Sequence, residues 1–208
     1  MNKRQQNREE RLNHIIEQAE ILFLKDGFER VQMQEIADAA EIGVATLFRY
    51  FPKKDQLIVA AAVHNLTPTL HVFKELTSQR GDAYSRLEAI LDYLLEQQLR
   101  QTNHSRFREA FESYASFVAS PLPGIDGYIE LQRQIMATLE PLIKDGRTDG
   151  SLRHDIDVKE TVITVINAFG TFGNNIILKS HISYLEKEID PTIQQRVLKE
   201  MLLAYVRA

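Results

Sequence analysis

Apolar residues recur every three or four positions along almost the whole chain, and no segment alternates apolar and polar residues as a half-buried strand would. The first apolar stripe consists of Leu12, Ile15, Ile16, Ala19, Leu22 and Phe23. Asn7 and Glu10 have the spacing of a capping box before this stripe, and Asp26-Gly27 provides a stop after it. This periodicity predicts an all-α protein.

Two short helices are predicted next, and they carry an unusual amount of aromatic surface. The first contains Ile36, Ala37 and Ala40, and Pro52 ends the second. On a helical wheel of about 100° per residue, the second helix has two faces. The face predicted to dock on the preceding helices contains Val44, Leu47, Phe48 and Phe51. The opposite face contains Ala45, Thr46, Arg49 and Tyr50.

Longer helices are predicted from residue 53 onward. Their expected ranges are 53–79, interrupted by Pro68; a helix after Asp82; a helix from near Asn103; 126–144, bent near Pro141; 157–184; and 190–208. Asp157 and Asp190-Pro191 are predicted to open the last two. We therefore expect a helix-turn-helix domain over 1–53 and a helical regulatory and dimerisation domain over 54–208.

The two short helices and the turn between them have the layout of a helix-turn-helix, whose second helix enters the major groove of DNA. The small residues Gly43 and Ala45 allow a close approach to bases, and Arg49 can reach guanine or a phosphate. Typical phosphate partners nearby are Thr46, Tyr50, Lys53 and Lys54. Two short helices joined by a turn also occur in many all-α cores, so a purely structural motif with an exposed arginine stays open.

Many linked positions in the first 60 residues strengthen the DNA-binding interpretation. They are Ala19, Leu22-Phe23, Gly27-Phe28, Ile36-Ala37, Ala40, Ile42, Thr46-Leu47-Phe48, Tyr50-Phe51, Lys54 and Leu57. In identity and spacing this stretch resembles the N-terminal domain of the TetR family. The remaining chain fits that family by helix count and order alone. The resemblance implies a dimeric repressor of transcription that a small ligand releases from its operator.

The resemblance also implies roles for individual residues. Thr46, Tyr50 and Lys54 correspond to phosphate contacts, and Val44, Ala45 and Arg49 stand where the family reads bases. Gln32 and Gln34, at the entry of the preceding helix, correspond to backbone or base-edge contacts.

Three departures from the family pattern affect this motif. Phe48 stands where tyrosine is usual, which removes one phosphate-binding hydroxyl. Gln32 replaces the usual hydroxyl cap of its helix. Glu41 stands where glycine usually closes that helix, and Gly43 stands where serine usually caps the next one. We therefore expect the turn between the helices to be formed differently.

Charge gives only local support for DNA binding. The net charge is −4, and residues 1–60 contain nine Lys or Arg against ten Asp or Glu. One basic cluster is Arg49, Lys53 and Lys54; the other is the N-terminal group Lys3, Arg4, Arg8 and Arg11. The N-terminal group can be a phosphate-binding arm or a solvated, frayed tail.

The second half of the chain suggests a dimer and a ligand pocket. In the family the last two helices pair with their copies, so we expect a homodimer there; ordinary intramolecular core is the alternative. The candidate ligand-binding residues are Phe73, Leu94, Phe107, Phe111, Tyr114, Met136, Asn167 and Phe169. An aromatic stripe can equally be core, whereas Asn167 as a buried amide would need a partner. Gly170 and Gly173 permit either close helix approach or room for a ligand.

Several classes of function lack support in the sequence. There are no cysteines, and the six histidines are scattered without an i, i+4 pair, so we expect no metal site and no cofactor. No catalytic constellation is recognisable, so we expect no enzyme activity. Without a signal peptide or an apolar run that could span a membrane, we expect a cytoplasmic protein with no membrane partner. A helical lipid carrier or enzyme with a structural N-terminal motif, an activator, and a regulator without a ligand remain alternatives.

Overall fold

The computed structural model describes residues 3–100, 102–180 and 190–208, and the described residues are all-α. The helices are α1 Lys3–Asp26, α2 Met33–Ala39, α3 Val44–Tyr50, α4 Lys54–Ser78, α5 Ala83–Arg100, α6 Thr102–Phe117, α7 Ile125–Ala137, α8 Glu140–Gly146, α9 Val158–Ser180 and α10 Pro191–Val206. The described part contains no β-strand, only one isolated bridge between Leu152 and Arg207. No described helix is long and apolar enough to cross a membrane.

The chain forms two compact units. The first comprises Met1–Thr67 and Phe107–Leu131, and the second comprises Pro68–Arg106 and Gln132–Ala208. The boundary therefore falls inside α4, between Thr67 and Pro68. The division 1–53 and 54–208 expected from the sequence stays a prediction, since the first unit also contains parts of α4, α6 and α7.

The first unit is built on α1, whose buried side chains Ile15, Ile16, Ala19 and Phe23 confirm four of the six residues of the predicted stripe, while Leu12 and Leu22 are half-buried. Two side chains of α4 connect that helix to Glu20 of α1. Asn65 Nδ2 donates to Glu20 Oε1 at 2.6 Å, and His64 Nδ1 lies 3.4 Å from Glu20 Oε2. The hydrogen bond between His64 and Glu20 is the main cause of the raised pKa of His64. Burial of the imidazole acts in the opposite direction and lowers this pKa.

In the second unit, a buried arginine connects three helices. Arg86 is 6 % exposed, and its guanidinium donates to the Thr77 carbonyl at 3.0 Å and to Asp145 Oδ2 at 2.7 Å. Because these partners lie on α4 and α8, one side chain of α5 joins three helices. A charge-assisted bond to a carboxylate offsets the cost of burying the guanidinium.

Helix termini confirm some predictions and correct others. Asp157 and Asp190 cap α9 and α10 through bonds to Glu160 N and Ile193 N, both at 3.0 Å. The box at Asn7 was wrong, because α1 already begins at Lys3. The interruption at Pro68 was also wrong: α4 continues through it. The predicted helix 126–144 is two helices, separated at 138–139. Residues 181–184 of the predicted helix 157–184 lie outside the described residues.

Candidate nucleic-acid interface

In the turn between α2 and α3, Glu41 adopts the left-handed backbone conformation. Its φ is +53°, and among the described residues no other non-glycine has a positive φ. Glu41 N donates to Asp38 O at 3.1 Å, and Ile42 N donates to Ala37 O at 2.9 Å. These two bonds form a Schellman motif with glutamate in the position that usually holds glycine. The expectation of a differently formed turn was therefore wrong, and the usual geometry is made with an unfavourable residue.

Gly43 does not use its conformational freedom. It is the N-cap of α3 with φ −66° and ψ 140°, angles that any residue adopts. A Cβ atom placed there would meet nothing within 4 Å. Glycine at this position therefore leaves α3 without a side-chain cap and is not required by the turn.

Helix α3 is anchored mainly by Leu47, which is completely buried, and by Phe51 just after the helix, which is 8 % exposed. Phe48 is 44 % exposed, so its assignment to the docking face was wrong. A seven-residue helix docks along a narrow line, and Phe48 lies about 100° from Leu47 around the axis. The exposed surface of α3 therefore includes an aromatic ring.

The residues predicted to face DNA lie at or near the surface of α3. Ala45 and Arg49 are exposed, while Val44, Thr46 and Tyr50 are half-buried. A small residue, a guanidinium, a hydroxyl and a phenol therefore remain accessible on one short helix. This is the set of groups that base edges and phosphates require.

Four further DNA-binding candidates flank α3. Gln32 and Gln34 are exposed, and each amide donates locally, to Arg30 O at 3.0 Å and to Asp38 Oδ1 at 2.7 Å. Gln32 also begins α2, because its backbone N–H donates to Glu35 Oε2 at 2.7 Å. Lys53 is exposed and precedes α4.

Lys54 has a structural role that the sequence did not indicate. Its ammonium donates to Glu29 O at 3.0 Å and to Val31 O at 3.1 Å. Both acceptors lie in the loop between α1 and α2. Lys54 therefore fastens this loop to the start of α4, and a substitution there changes folding as well as any phosphate contact.

A cleft beside α3 brings together residues that the site prediction did not contain. We call it the arginine cleft; its described lining is Arg4, Gln5, Asn7, Arg8, Arg11, Arg49 and Tyr50. Its volume is about 810 Å³. The signal was present in the sequence, since Arg4, Arg8 and Arg11 recur at helical spacing, but only the structure shows that α1 brings them beside Arg49.

Three ligand-binding candidates lie in the first unit as part of its aromatic packing. The Phe28 ring lies 5.5 Å from Phe107 and 5.3 Å from Tyr114, and Phe111 packs at 4.8 Å on Tyr128. The Tyr114 hydroxyl donates to Asp55 Oδ1 at 3.1 Å. Burial, followed by the charge of Asp55, raises the pKa of Tyr114.

The other five candidates lie in the second unit. Phe73, Leu94 and Phe169 are buried and Met136 is half-buried. Asn167 is exposed, so treating it as a buried amide was wrong. It lies one residue beyond the buried pair Val165 and Ile166, on the outer side of α9.

Two buried glutamine side chains, from α5 and α10, bond to backbone carbonyls of α9. Gln98 is 2 % exposed and donates to Gly170 O at 3.1 Å; Gln195 is fully buried and donates to Gly173 O at 3.3 Å. A Cβ atom on Gly173 would overlap the Gln98 amide. Gly173 therefore provides room for a side chain of α5. Gln98 follows Leu94 by four residues, which is the sequence signal for its burial.

Comparison with known proteins agrees with this geometry. Residues 15–61 match the family described as bacterial regulatory proteins, tetR family. Over 52 residues the chain is 44 % identical to the HTH-type transcriptional repressor KstR of Mycobacterium tuberculosis, covering 25 % of this chain and 24 % of that one. The chain thus matches about a quarter of the length of this relative.

Two solved structures share the fold across the chain. One is a transcriptional regulator from Saccharomonospora viridis in complex with choline, with a TM-score of 0.73, 17 % identity and coverage of 96 % of this chain and 98 % of that one. The other is FadR from Bacillus subtilis in complex with stearoyl-CoA, with a TM-score of 0.69, 14 % identity and coverage of 94 % and 100 %. At these identities the likeness concerns the fold alone. Residues 15–61, which contain the helix-turn-helix, therefore belong to the family described as bacterial regulatory proteins, tetR family, and the chain as a whole shares the fold of these two structures.

Proposed function

We propose that this protein is a homodimeric transcriptional repressor that binds a palindromic DNA operator and is released from it by a small, largely apolar ligand. The observation that carries the proposal is the surface of α3. Leu47 fixes the helix from below, and Ala45 and Arg49 are exposed above it. A short helix presented in this way matches the recognition helix of a helix-turn-helix.

The proposed DNA contacts divide into two kinds. Val44, Ala45 and Arg49 would read base edges, and such contacts carry sequence specificity. The residues proposed to bind phosphates or the backbone are Gln32, Gln34, Thr46, Tyr50, Lys53 and Lys54. In a dimer, two copies of α3 would enter successive major grooves, roughly 34–36 Å apart.

A stripe on α10 supports the homodimer. Ile193, Val197, Met201 and Tyr205 recur every four residues and are 59, 49, 64 and 52 % exposed. Because about half of each side chain is already buried, covering the remainder would contribute roughly 0.8–1.5 kcal/mol apiece. We expect a charge in the stripe, Met201→Arg, to favour monomers in light-scattering measurements, whereas Glu200→Arg, at an exposed neighbouring position, should leave the dimer intact. A Met201→Arg protein that stays dimeric would exclude this surface.

The proposed ligand remains defined by class only. The buried or half-buried candidates are Phe73, Leu94, Phe107, Phe111, Tyr114, Met136 and Phe169, and their apolar character supports a largely apolar ligand. Asn167 stays a candidate only as an exposed amide. The two structural relatives hold ligands as different as choline and stearoyl-CoA, so the fold alone does not select the chemistry.

We propose that release by ligand involves α4 near Thr67 and Pro68. The two compact units divide between these residues, and Pro68 has no N–H with which to bond a helical carbonyl. Ligand binding and DNA binding must weaken each other by the same factor. Hydrogen exchange with and without ligand should differ across this point; equal exchange on both sides would contradict the mechanism.

Selection from random duplex DNA tests the proposed function directly. We expect an inverted repeat from the native protein, and a loss of about 1–3 kcal/mol in operator binding for Arg49→Ala if it reads a guanine. Arg80→Ala, an exposed arginine of the second unit, is the matched control. Lys54→Ala is a poor substitute because Lys54 also fastens the loop before α2. Operator binding unchanged by Arg49→Ala would reject the assignment of α3.

A further inference from the structure

The first three turns of α1 extend beyond the core of their unit. Every residue from Lys3 to Arg11 is exposed, and the first buried side chain of the helix is Ile15. On the helical wheel, Arg4, Asn7, Arg8 and Arg11 fall within an arc of about 100°. The extension therefore presents one basic face.

This basic face faces the cleft beside the recognition helix. Three arginines of α1 and Arg49 of α3 line the arginine cleft, together with Tyr50. No carboxylate belongs to its described lining. The acidic residues of the extension, Glu9 and Glu10, lie outside this arc, and Glu10 accepts a bond from Gln6 at 3.1 Å.

This distribution of charge brings like charges together near the start of α1. Cations near the start of a helix oppose its dipole by roughly 0.3–1 kcal/mol each, and the first turn of α1 contains no acidic residue. Like charges that line one cleft also repel each other. A polyanion bound in the cleft would reverse both effects.

We propose that the arginine cleft binds the phosphate backbone of duplex DNA, so that α1 contributes a second contact surface beside α3. Arg4, Arg8 and Arg11 contact phosphates, while Arg49 stands between this surface and the base-reading face. The inference rests on the proposed function, since it assumes that α3 lies on DNA. Phosphate contacts carry no sequence information, so the cleft raises affinity for every duplex alike.

The test is the salt dependence of binding to a duplex of arbitrary sequence, roughly 30 base pairs long, which covers about three helical turns. Each phosphate contact changes the slope of log K against log salt by about 0.9. Arg8→Gln with Arg11→Gln should therefore reduce the slope by about 1.8 per protomer. Raising salt fourfold would then weaken this variant about 12-fold less than the native protein, per protomer.

Matched variants separate the cleft from net charge. Arg80→Gln with Arg147→Gln removes the same charge from exposed positions of the second unit and should leave the slope nearly unchanged. Arg8→Lys with Arg11→Lys keeps the charge and should retain most of the slope. Glutamine and arginine have similar helix propensities, so circular dichroism should show an unaltered fold.

The outcomes distinguish the inference from the proposed function. Two results would overturn the proposed phosphate binding by the arginine cleft. One is an equal salt slope for the Arg8→Gln, Arg11→Gln variant and the Arg80→Gln, Arg147→Gln control; the other is a lysine variant that binds duplex DNA as weakly as the glutamine variant. If the native protein binds no duplex at all, the proposed function itself fails. Random-DNA selection should return the same operator for the glutamine variant and the native protein, and a changed operator would also contradict a phosphate role.

Discussion

Replacing Glu41 with glycine should stabilise this protein. A non-glycine residue in the left-handed region costs roughly 1–2 kcal/mol, and Glu41 has φ +53°. Both hydrogen bonds of the turn are made by the backbone and would survive the substitution. Glycine adds about 0.4–1 kcal/mol of conformational entropy to the unfolded chain. At the midpoints of these two ranges the difference is a gain of about 0.8 kcal/mol in the free energy of unfolding, with an upper limit of about 1.6 kcal/mol.

Two controls isolate the backbone effect. Glu41→Gln removes the charge but keeps Cβ, and at this exposed position it should change stability by less than about 0.5 kcal/mol. Ala110→Gly introduces glycine at an exposed position inside α6, where it should destabilise by about 1 kcal/mol. Glycine should therefore raise the free energy of unfolding at position 41 and lower it at position 110.

Urea unfolding followed by circular dichroism provides the measurement, because the chain has no tryptophan. Protein concentration must be held fixed, since dimerisation would shift the midpoint. The midpoint for Glu41→Gly should rise at an unchanged m-value. If Glu41→Gly is no more stable than Glu41→Gln, the left-handed conformation carries no strain and the reasoning fails.

Three further substitutions have distinct expected outcomes. Gly173→Ala should be about 1–3 kcal/mol less stable than Gly170→Ala, because both gain the helix propensity of alanine but only the Cβ at residue 173 overlaps the buried Gln98 amide; urea midpoints of the two variants would decide this. The raised pKa of His64 means that its bond to Glu20 stabilises the fold fully below the unfolded pKa of about 6.5 and loses this effect as pH rises through the folded pKa. The stability gap between the native protein and His64→Gln should therefore shrink from acid to alkaline pH, and a constant gap would exclude the effect. Phe48→Tyr, at a 44 % exposed ring, should tighten operator binding by about 0.5–1.5 kcal/mol if its hydroxyl reaches a phosphate, and titration of operator DNA would show unchanged affinity if it does not.

The sequence predicted the helix-turn-helix well because periodicity and caps are local. Leu47 and Phe51 were placed correctly on the buried side, and Glu41 was identified as the unusual residue of the turn. Phe48 was placed wrongly because a wheel divides a helix into equal faces, whereas a two-turn helix buries only one line of residues. Lys54 shows a second limit, since its carbonyl partners lie more than twenty positions earlier in the chain.

The second half of the chain was less predictable because its features depend on tertiary packing. Pro68 removes one helical bond, yet its neighbours keep α4 continuous. Helix α7 ends at Ala137, four residues before Pro141, whose ring would clash with the Ala137 carbonyl in a continuous helix, and Pro141 then lies in the first turn of α8. The sequence indicated a bend at this proline, whereas the structure has a complete break. Exposure of Asn167 could not be read from periodicity alone, since a helix with a broad apolar surface allows more than one buried face.

The exposed turns at the start of α1 have a consequence for how this protein can evolve. Residues 3–11 bury nothing in the core, so substitutions there are nearly free of folding constraints. If the arginine cleft binds backbone phosphates, each arginine gained or lost rescales binding to operator and to bulk genomic DNA by the same factor. Selection could then adjust the fraction of protein held on the chromosome at a given cellular salt concentration while α3 keeps the same operator. Sequence specificity would then change through α3, and the strength of binding would change through α1.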